Sequence, residues 1–198
     1  MHWSWLIVSG VGLLVVVVST NAARKGVGPR EQTLFRAVNG LPDFLYWVLW
    51  LPMQLGNLVV GTAAGLVVAL VIGSVAVAVG VVLAMVLKLV VERAVRAQLA
   101  DQLAERQRPA TSEPRAILRG GDVPASGPSF PSGHVILVAG IGCVVAPHLP
   151  LAGWLVPLAV IFLVMVGRVY VGAHNPLDVL AGLGAGLLLG GAVAVFVN

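Results

Sequence analysis

The feature that most limits what this chain can become is the length of its uncharged stretches. Residues 1–23, 44–87 and 135–167 contain no Asp, Glu, Lys or Arg. A helix needs roughly 20 apolar residues to cross the hydrocarbon core of a bilayer. The 44 positions of the second stretch make about 66 Å of helix, enough for two crossings with Gly73-Ser74 as the turn. Pro147, His148 and Pro150 divide the third stretch, and the residues after Asp178 supply one more crossing. The expected architecture is all-α: a polytopic membrane bundle, one domain over residues 1–198. Six transmembrane helices are expected at about residues 4–20, 53–72, 75–95, 132–147, 151–170 and 176–197. A short interfacial helix precedes the second of them, because residues 43–50 are rich in Trp and Tyr and are followed by Pro52.

Composition closes off the other classes. Only 10% of residues are charged and 59% are hydrophobic, with mean hydropathy +0.99. A soluble domain carries roughly 25% charged residues, and a disordered chain has few apolar ones. The single cysteine, Cys143, lies in an apolar run, so it reads as a small buried hydrophobe and not as part of a disulfide framework. The first apolar stretch ends in small residues and resembles a cleavable signal peptide. However, Arg24-Lys25 follows the apolar core, whereas a signal peptide carries its basic residues before it. A retained first helix is expected.

The charges are confined to a few places. All 12 Lys and Arg residues fall in three places, after the first expected span, from the end of the third onward, and at the end of the fifth, and the three connections concerned share one face of the membrane. A sequence pI near 10 therefore reflects topology, anionic lipid headgroups or a phosphate-bearing substrate, and not a nucleic-acid surface. By the positive-inside rule this face is cytoplasmic and the N-terminus outside. The long connection, residues 96–131, follows a helical extension with alternating charges from Glu92 onward. It contains the breaks Arg108-Pro109 and Glu113-Pro114 and a Gly- and Pro-rich loop.

Two clusters on that same face are not explained by membrane packing. Pro131-Ser132-Gly133-His134 heads the fourth span. Ser132 suits an N-cap, Gly133 admits a ligand close to the backbone, and the free N–H groups of the helix start suit an anion. Arg168, His174 and Asp178 run from the end of the fifth span into the sixth. The i, i+4 spacing places Asp178 where it can orient the His174 imidazole. A lone interfacial His or Arg is usually just a solvated or snorkelling side chain. Two His, one Asp and one Arg beside an anion-ready helix start form a functional constellation. Two His with one carboxylate is also a metal-triad set, but Arg168 and the basic connection disfavour a cation, so no metal or other cofactor is expected. His148, in the opposite connection, and His2 carry no functional signal. Polar groups at span ends, not mid-membrane, disfavour a transporter.

At these residues the chain resembles the type-2 phosphatidic acid phosphatase superfamily, which shares its site with vanadium haloperoxidases and bacterial acid phosphatases. The family's second motif, Pro-Ser-Gly-His, is complete as residues 131–134. Its third motif is Ser-Arg, five residues, His, three residues, Asp. It is complete here except that Gly167 stands where Ser is usual. The first motif, Lys, six residues, Arg-Pro, departs: Lys88 is well placed, but the only Arg-Pro is Arg108-Pro109. The reading favoured is a motif stretched by an inserted helical segment, with Lys88 and Arg108 as ligands and Arg96 or Arg93 as substitutes.

The resemblance implies metal-independent dephosphorylation of a lipid phosphate through a phosphohistidine. His174 would be the nucleophile, Asp178 its orienting carboxylate, and His134 the general acid and base. Arg168, Lys88, Arg108, the Ser132 hydroxyl and the Gly133 N–H would hold the phosphate. The implied partners are a lipid phosphate and the membrane of a cell (plasma or inner membrane), with no nucleic acid. Two alternatives stay open: a phosphotransferase with the same chemistry, and a catalytically weak lipid-binding subunit. The resemblance also implies a site facing away from the cytoplasm, against the charge count.

Overall fold

A computed structural model describes residues 2–99, 101–103, 106–121 and 123–197. Among these the only regular elements are helices: α1 (His2–Ala23), α2 (Pro29–Asn39), α3 (Leu45–Gln54), α4 (Leu58–Ile72), α5 (Val75–Gln98), the single turn α6 (Pro109–Ser112), α7 (Gly133–Val145), α8 (Leu155–Tyr170) and α9 (Pro176–Val197).

The expected six spans are not all long enough. Among the described residues three helices have the length and apolarity to cross a membrane: α1, α5 up to Val95, and α9. A fourth is available if α3 and α4, bent by 66° at residues 55–57, count as one span. The second span was expected to run unbroken from residue 53. Instead α3 ends at Gln54, and Asn57 caps a new helix by accepting the Val59 and Val60 N–H groups. The expected interfacial helix corresponds to α3. The turn expected at Gly73-Ser74 is present: Gly73 adopts φ 73°, which glycine tolerates without strain, and the Ser74 hydroxyl caps α5.

α7 and α9 form the core, α7 being buried along nearly its whole length. They approach closely because α9 presents small residues to both neighbours. A Cβ on Gly186 would collide with Ala139 and the Ile136 carbonyl of α7, and one on Gly190 with the backbone of Gly140. Gly184 and Gly191 do the same against α1, at Gly12 and Ser9. The outer faces carry exposed Leu, Val and Phe, among them Leu70, Val71 and Phe196, as expected of surface that meets lipid.

Three connections converge at one end. The α1–α2 turn, the segment after α5 and the α8–α9 turn are tied together where Arg106 bonds the Gly26 carbonyl, Glu31 and Asp178. The loop before α7 is held as well. Asn39 exchanges hydrogen bonds with the Ile117 backbone, and Arg119 donates to the Asn39 and Tyr170 carbonyls and to Asp43. At the opposite end Trp5 stacks on Trp154, so the start of α1 lies away from these connections.

Candidate active site

A polar cavity of about 380 Å³ opens at the end where the basic connections meet. Its walls come from widely separated parts of the chain. α5 contributes Lys88 and Glu92, the segment before α6 contributes Arg108, and the head of α7 contributes Gly133 and His134. Arg168 comes from the last turn of α8, and His174 from the turn before α9. Asn57, at the α3–α4 break, and Ser129 complete the lining on which the chemistry below depends.

Of the eight residues expected from the sequence, six line this cavity: His174, His134, Arg168, Gly133, Lys88 and Arg108. Ser132 and Asp178 do not; both lie behind it, fully buried. Ser132 is the N-cap residue of α7, but its hydroxyl does not cap the helix, and this buried oxygen has no partner. Its backbone N–H instead donates to the Asp178 carbonyl at 3.0 Å, which joins the two motif helices directly. Arg93 is exposed and not part of the lining, while the Arg96 side chain, the other substitute, lies outside the described residues.

Arg108 reaches the site because the chain folds back after α5. Its Nη1 donates to the Ala173 carbonyl at 2.8 Å, one residue from His174. Lys88 pairs with Glu92 at 2.7 Å, one helical turn away on α5. The Glu92 carboxylate presses against Gly133 so closely that a Cβ there would overlap it. What approaches the Gly133 backbone in this structure is therefore a carboxylate of the chain itself. Gly167, the departure from the third motif, has a local cause. A Cβ at that position would already lie 2.6 Å from Met53 Cγ, so the packing of α3 against α8 excludes a serine.

His174 is held differently from the expectation. Its Nδ1 lies 2.8 Å from the Ser129 carbonyl, and the nearer Asp178 oxygen is 3.8 Å away. A carbonyl only accepts, so Nδ1 carries the proton, and Nε2 keeps the lone pair a nucleophile needs. The His174 N–H donates to the Arg168 carbonyl, which fixes the turn. Burial lowers the His174 pKa, and the Arg168 and Arg108 charges add to this against the opposing pull of Asp178. The imidazole is therefore neutral near pH 7.

Asp178 has both oxygens engaged. Oδ1 accepts from Arg106 Nε at 2.7 Å, and Oδ2 accepts from the Asn175 N–H at 2.8 Å. Arg106, Glu31, Ser129, Asn175 and Glu92 are all residues that sequence reasoning missed. Glu31 in the first turn after Pro29 looks like an ordinary dipole-matching acid. Arg106 sits two residues before the more conspicuous Arg108-Pro109, with nothing to mark it.

The comparisons agree with the motifs. A family model described as the PAP2 superfamily matches residues 67–198, two thirds of the chain. No curated protein matches the chain in sequence. Among solved structures, LpxE from Aquifex aeolicus is similar at TM-score 0.68 and 22% identity, over 83% of this chain and 94% of that one. A transmembrane PAP2-type phosphatidylglycerolphosphate phosphatase from Bacillus subtilis is similar at TM-score 0.68 and 21% identity, over 95% and 94%.

Proposed function

The chain belongs to the PAP2 superfamily, and from that premise we propose that it is a membrane-embedded lipid phosphate phosphatase working through a phosphohistidine, without metal. One observation carries the reading: two histidines and three cationic side chains, Arg168, Arg108 and Lys88, line a single cavity at one end of an apolar helical bundle. A phosphoryl group needs cations on its equatorial oxygens and an in-line nucleophile. His174 Nε2 attacks phosphorus while His134 gives a proton to the departing lipid alkoxide. The Nδ1 proton stays on the ring, so the phosphorylated imidazole is cationic and faces the Asp178 carboxylate. His134 then takes a proton from water, which attacks phosphorus and returns His174 to its neutral form.

A lipid substrate is supported by a second cavity. An apolar groove between α4, α7 and α8, lined by Leu55, Gly61, Gly65, Val138, Gly142 and Pro157 among others, begins two residues from Asn57 of the polar site. It gives an acyl or prenyl tail a place beside the headgroup cavity. The reading as a catalytically weak subunit rested on the departed first motif. With Lys88 and Arg108 both lining the cavity, that motive falls away.

The test is phosphate release from a panel of phosphatidic acid, phosphatidylglycerol phosphate, polyprenyl pyrophosphate and a phosphorylated glycolipid. At least one should be hydrolysed by the purified protein. His174→Ala should abolish turnover, and His134→Ala should lower it by about 10²–10⁴-fold. Orthovanadate should inhibit and EDTA should not. Turnover retained in His174→Ala protein would sink the mechanism.

A further inference from the structure

Arg106 is the largest fully buried side chain in the protein among the described residues, and it does not line the catalytic cavity. Its guanidinium lies between two carboxylates carried by different helices. Nε donates to Asp178 Oδ1 at 2.7 Å, Nη1 to Glu31 Oε2 at 3.1 Å, and Nη2 to Glu31 Oε1. Nη1 also reaches the Gly26 carbonyl, and the Phe130 ring lies under the charge at 5.9 Å. Glu31 Oε1 in turn accepts the Leu177 N–H at 2.8 Å, so α2 also grips the start of α9, one residue before Asp178.

Two consequences follow. The first is geometric. With Oδ1 fixed by Arg106 and Oδ2 by the Asn175 N–H, the plane of the Asp178 carboxylate is set, and Oδ2 is presented to His174. The second is electrostatic. One guanidinium shared by two carboxylates leaves a net negative charge in the group. Asp178 is thus compensated enough to stay buried, yet it keeps negative charge for the cationic ring that forms when His174 is phosphorylated.

Resting on the phosphatase reading above, we infer that Arg106 and Glu31 are positioning residues for the reaction. They act through Asp178, with Glu31 setting how much negative charge Asp178 retains toward His174. Neither residue touches substrate. The α1–α2 connection, remote from the three motifs in sequence, is in this way part of the catalytic apparatus.

The experiment compares Glu31→Gln, Arg106→Lys and Arg106→Met, each in the wild-type and the Asp178→Asn background, with thermal unfolding measured in the same detergent. The readout is kcat and KM on a radiolabelled lipid phosphate, the one the wild type hydrolyses fastest, so that residual rates are measurable. Displacements of a catalytic group by an ångström cost about 10²-fold. Arg106→Met should therefore lose about 10²-fold in kcat, and Arg106→Lys and Glu31→Gln about 10-fold each, with KM within about twofold. In the Asp178→Asn background each added change should cost less than about twofold, because a residue acting only through Asp178 has nothing left to act on.

Equal losses in both backgrounds would overturn the inference, as would full activity in Arg106→Lys and Glu31→Gln, or losses confined to KM. If Arg106→Met fails to fold, Arg106→Lys and Glu31→Gln decide the question. A wild type with no turnover on the whole panel overturns the phosphatase reading and this inference together. An active wild type with background-independent losses overturns this inference alone.

Discussion

The His174 imidazole, the nucleophile of the proposed mechanism, is 5% exposed and faces two arginines and one aspartate. Burial lowers its pKa, with Arg168 and Arg108 adding and Asp178 opposing, whereas an ordinary histidine titrates near about 6.5. The unfolded chain takes up a proton at this residue near pH 6.5 and the folded chain does not, so the stability tied to a neutral His174 is complete above that pH and declines below it. At pH 6.5 the folded ring should therefore be mostly neutral. Nitrogen-15 histidine spectra of the detergent-solubilised protein test this, the signal being assigned by its loss in His174→Ala. Protonation at or above pH 6.5 would contradict the electrostatics described. Glu92 makes a second prediction. Its carboxylate lies against Gly133 and Lys88, inside the cavity where a phosphate would sit. Glu92→Gln should therefore lower KM for the lipid phosphate by about 3–10-fold, since removing a like charge beside an anion is worth on the order of 1 kcal/mol. An unchanged or raised KM would place the phosphate elsewhere. Residues with a motif around them, such as His134, Arg168 and His174, were legible from spacing alone. Arg106 and Glu31 were not, because a buried ion pair formed across 75 residues leaves no local pattern in either segment.

The helices show where apolar length stops being informative. The uncharged stretch at residues 44–87 correctly reported apolar helix with a turn at Gly73, but not the break at residues 55–57. The reason is local. The chain passes over His134 so closely that a Cβ on Gly56 would lie 2.7 Å from the His134 Cβ, and Asn57 restarts the helix beyond it. Gly56-Asn57 is a stop-and-cap pair set within an otherwise apolar run, whose length dominated the sequence reading. α7 and α8, with 13 and 16 residues, are likewise shorter than a spanning helix needs. The Gly182, Gly186 and Gly190 face, by contrast, packs within the chain against the start and middle of α7. This contact sets the distance between His134 on α7 and Asp178 on α9, so it should be intolerant of volume. Gly186→Val should destabilise by about 1–3 kcal/mol through overpacking and depress kcat as well. Gly10→Ala, where nothing lies within 4 Å of an added Cβ, should be neutral or stabilise by up to about 1 kcal/mol. Thermal unfolding of the two variants in one detergent checks the pair. Equal shifts would mean that the α7–α9 contact is looser than described.

Orientation belongs to the whole molecule, and here the structure sharpens one of the two conflicting arguments. Resemblance to the six-span members of the family implies a site facing away from the cytoplasm. The charge argument requires that the basic connections share one face, and in the fold they do. The turn after α1, the segment after α5 and the turn before α9 meet through Arg106, while the start of α1 packs at the other end with Trp154. All 12 Lys and Arg residues lie after α1, in or after the C-terminal half of α5, or in the last turn of α8. Lys88, Arg108 and Arg168 line the polar cavity, so on the proposed function their placement answers to chemistry and is left out of the topology count. Arg24, Lys25, Arg30 and Arg36 are not part of that lining, and they directly follow the first helix, which usually dominates orientation. On this count the N-terminus is expected outside, with the cavity opening to the cytoplasm. Cys143 is buried within α7, so single-cysteine labelling meets little background. Thr111, exposed in α6 at the site end, and Leu151, 87% exposed in the connection before α8, are the positions to use. In intact cells a membrane-impermeant maleimide should label Leu151→Cys and spare Thr111→Cys, and permeabilisation should make the second reactive. Labelling of Thr111→Cys from outside would reverse the assignment. The four arginines and lysines after α1 would then have to be held on the outer face against the usual charge bias, by anionic headgroups or by the substrate itself.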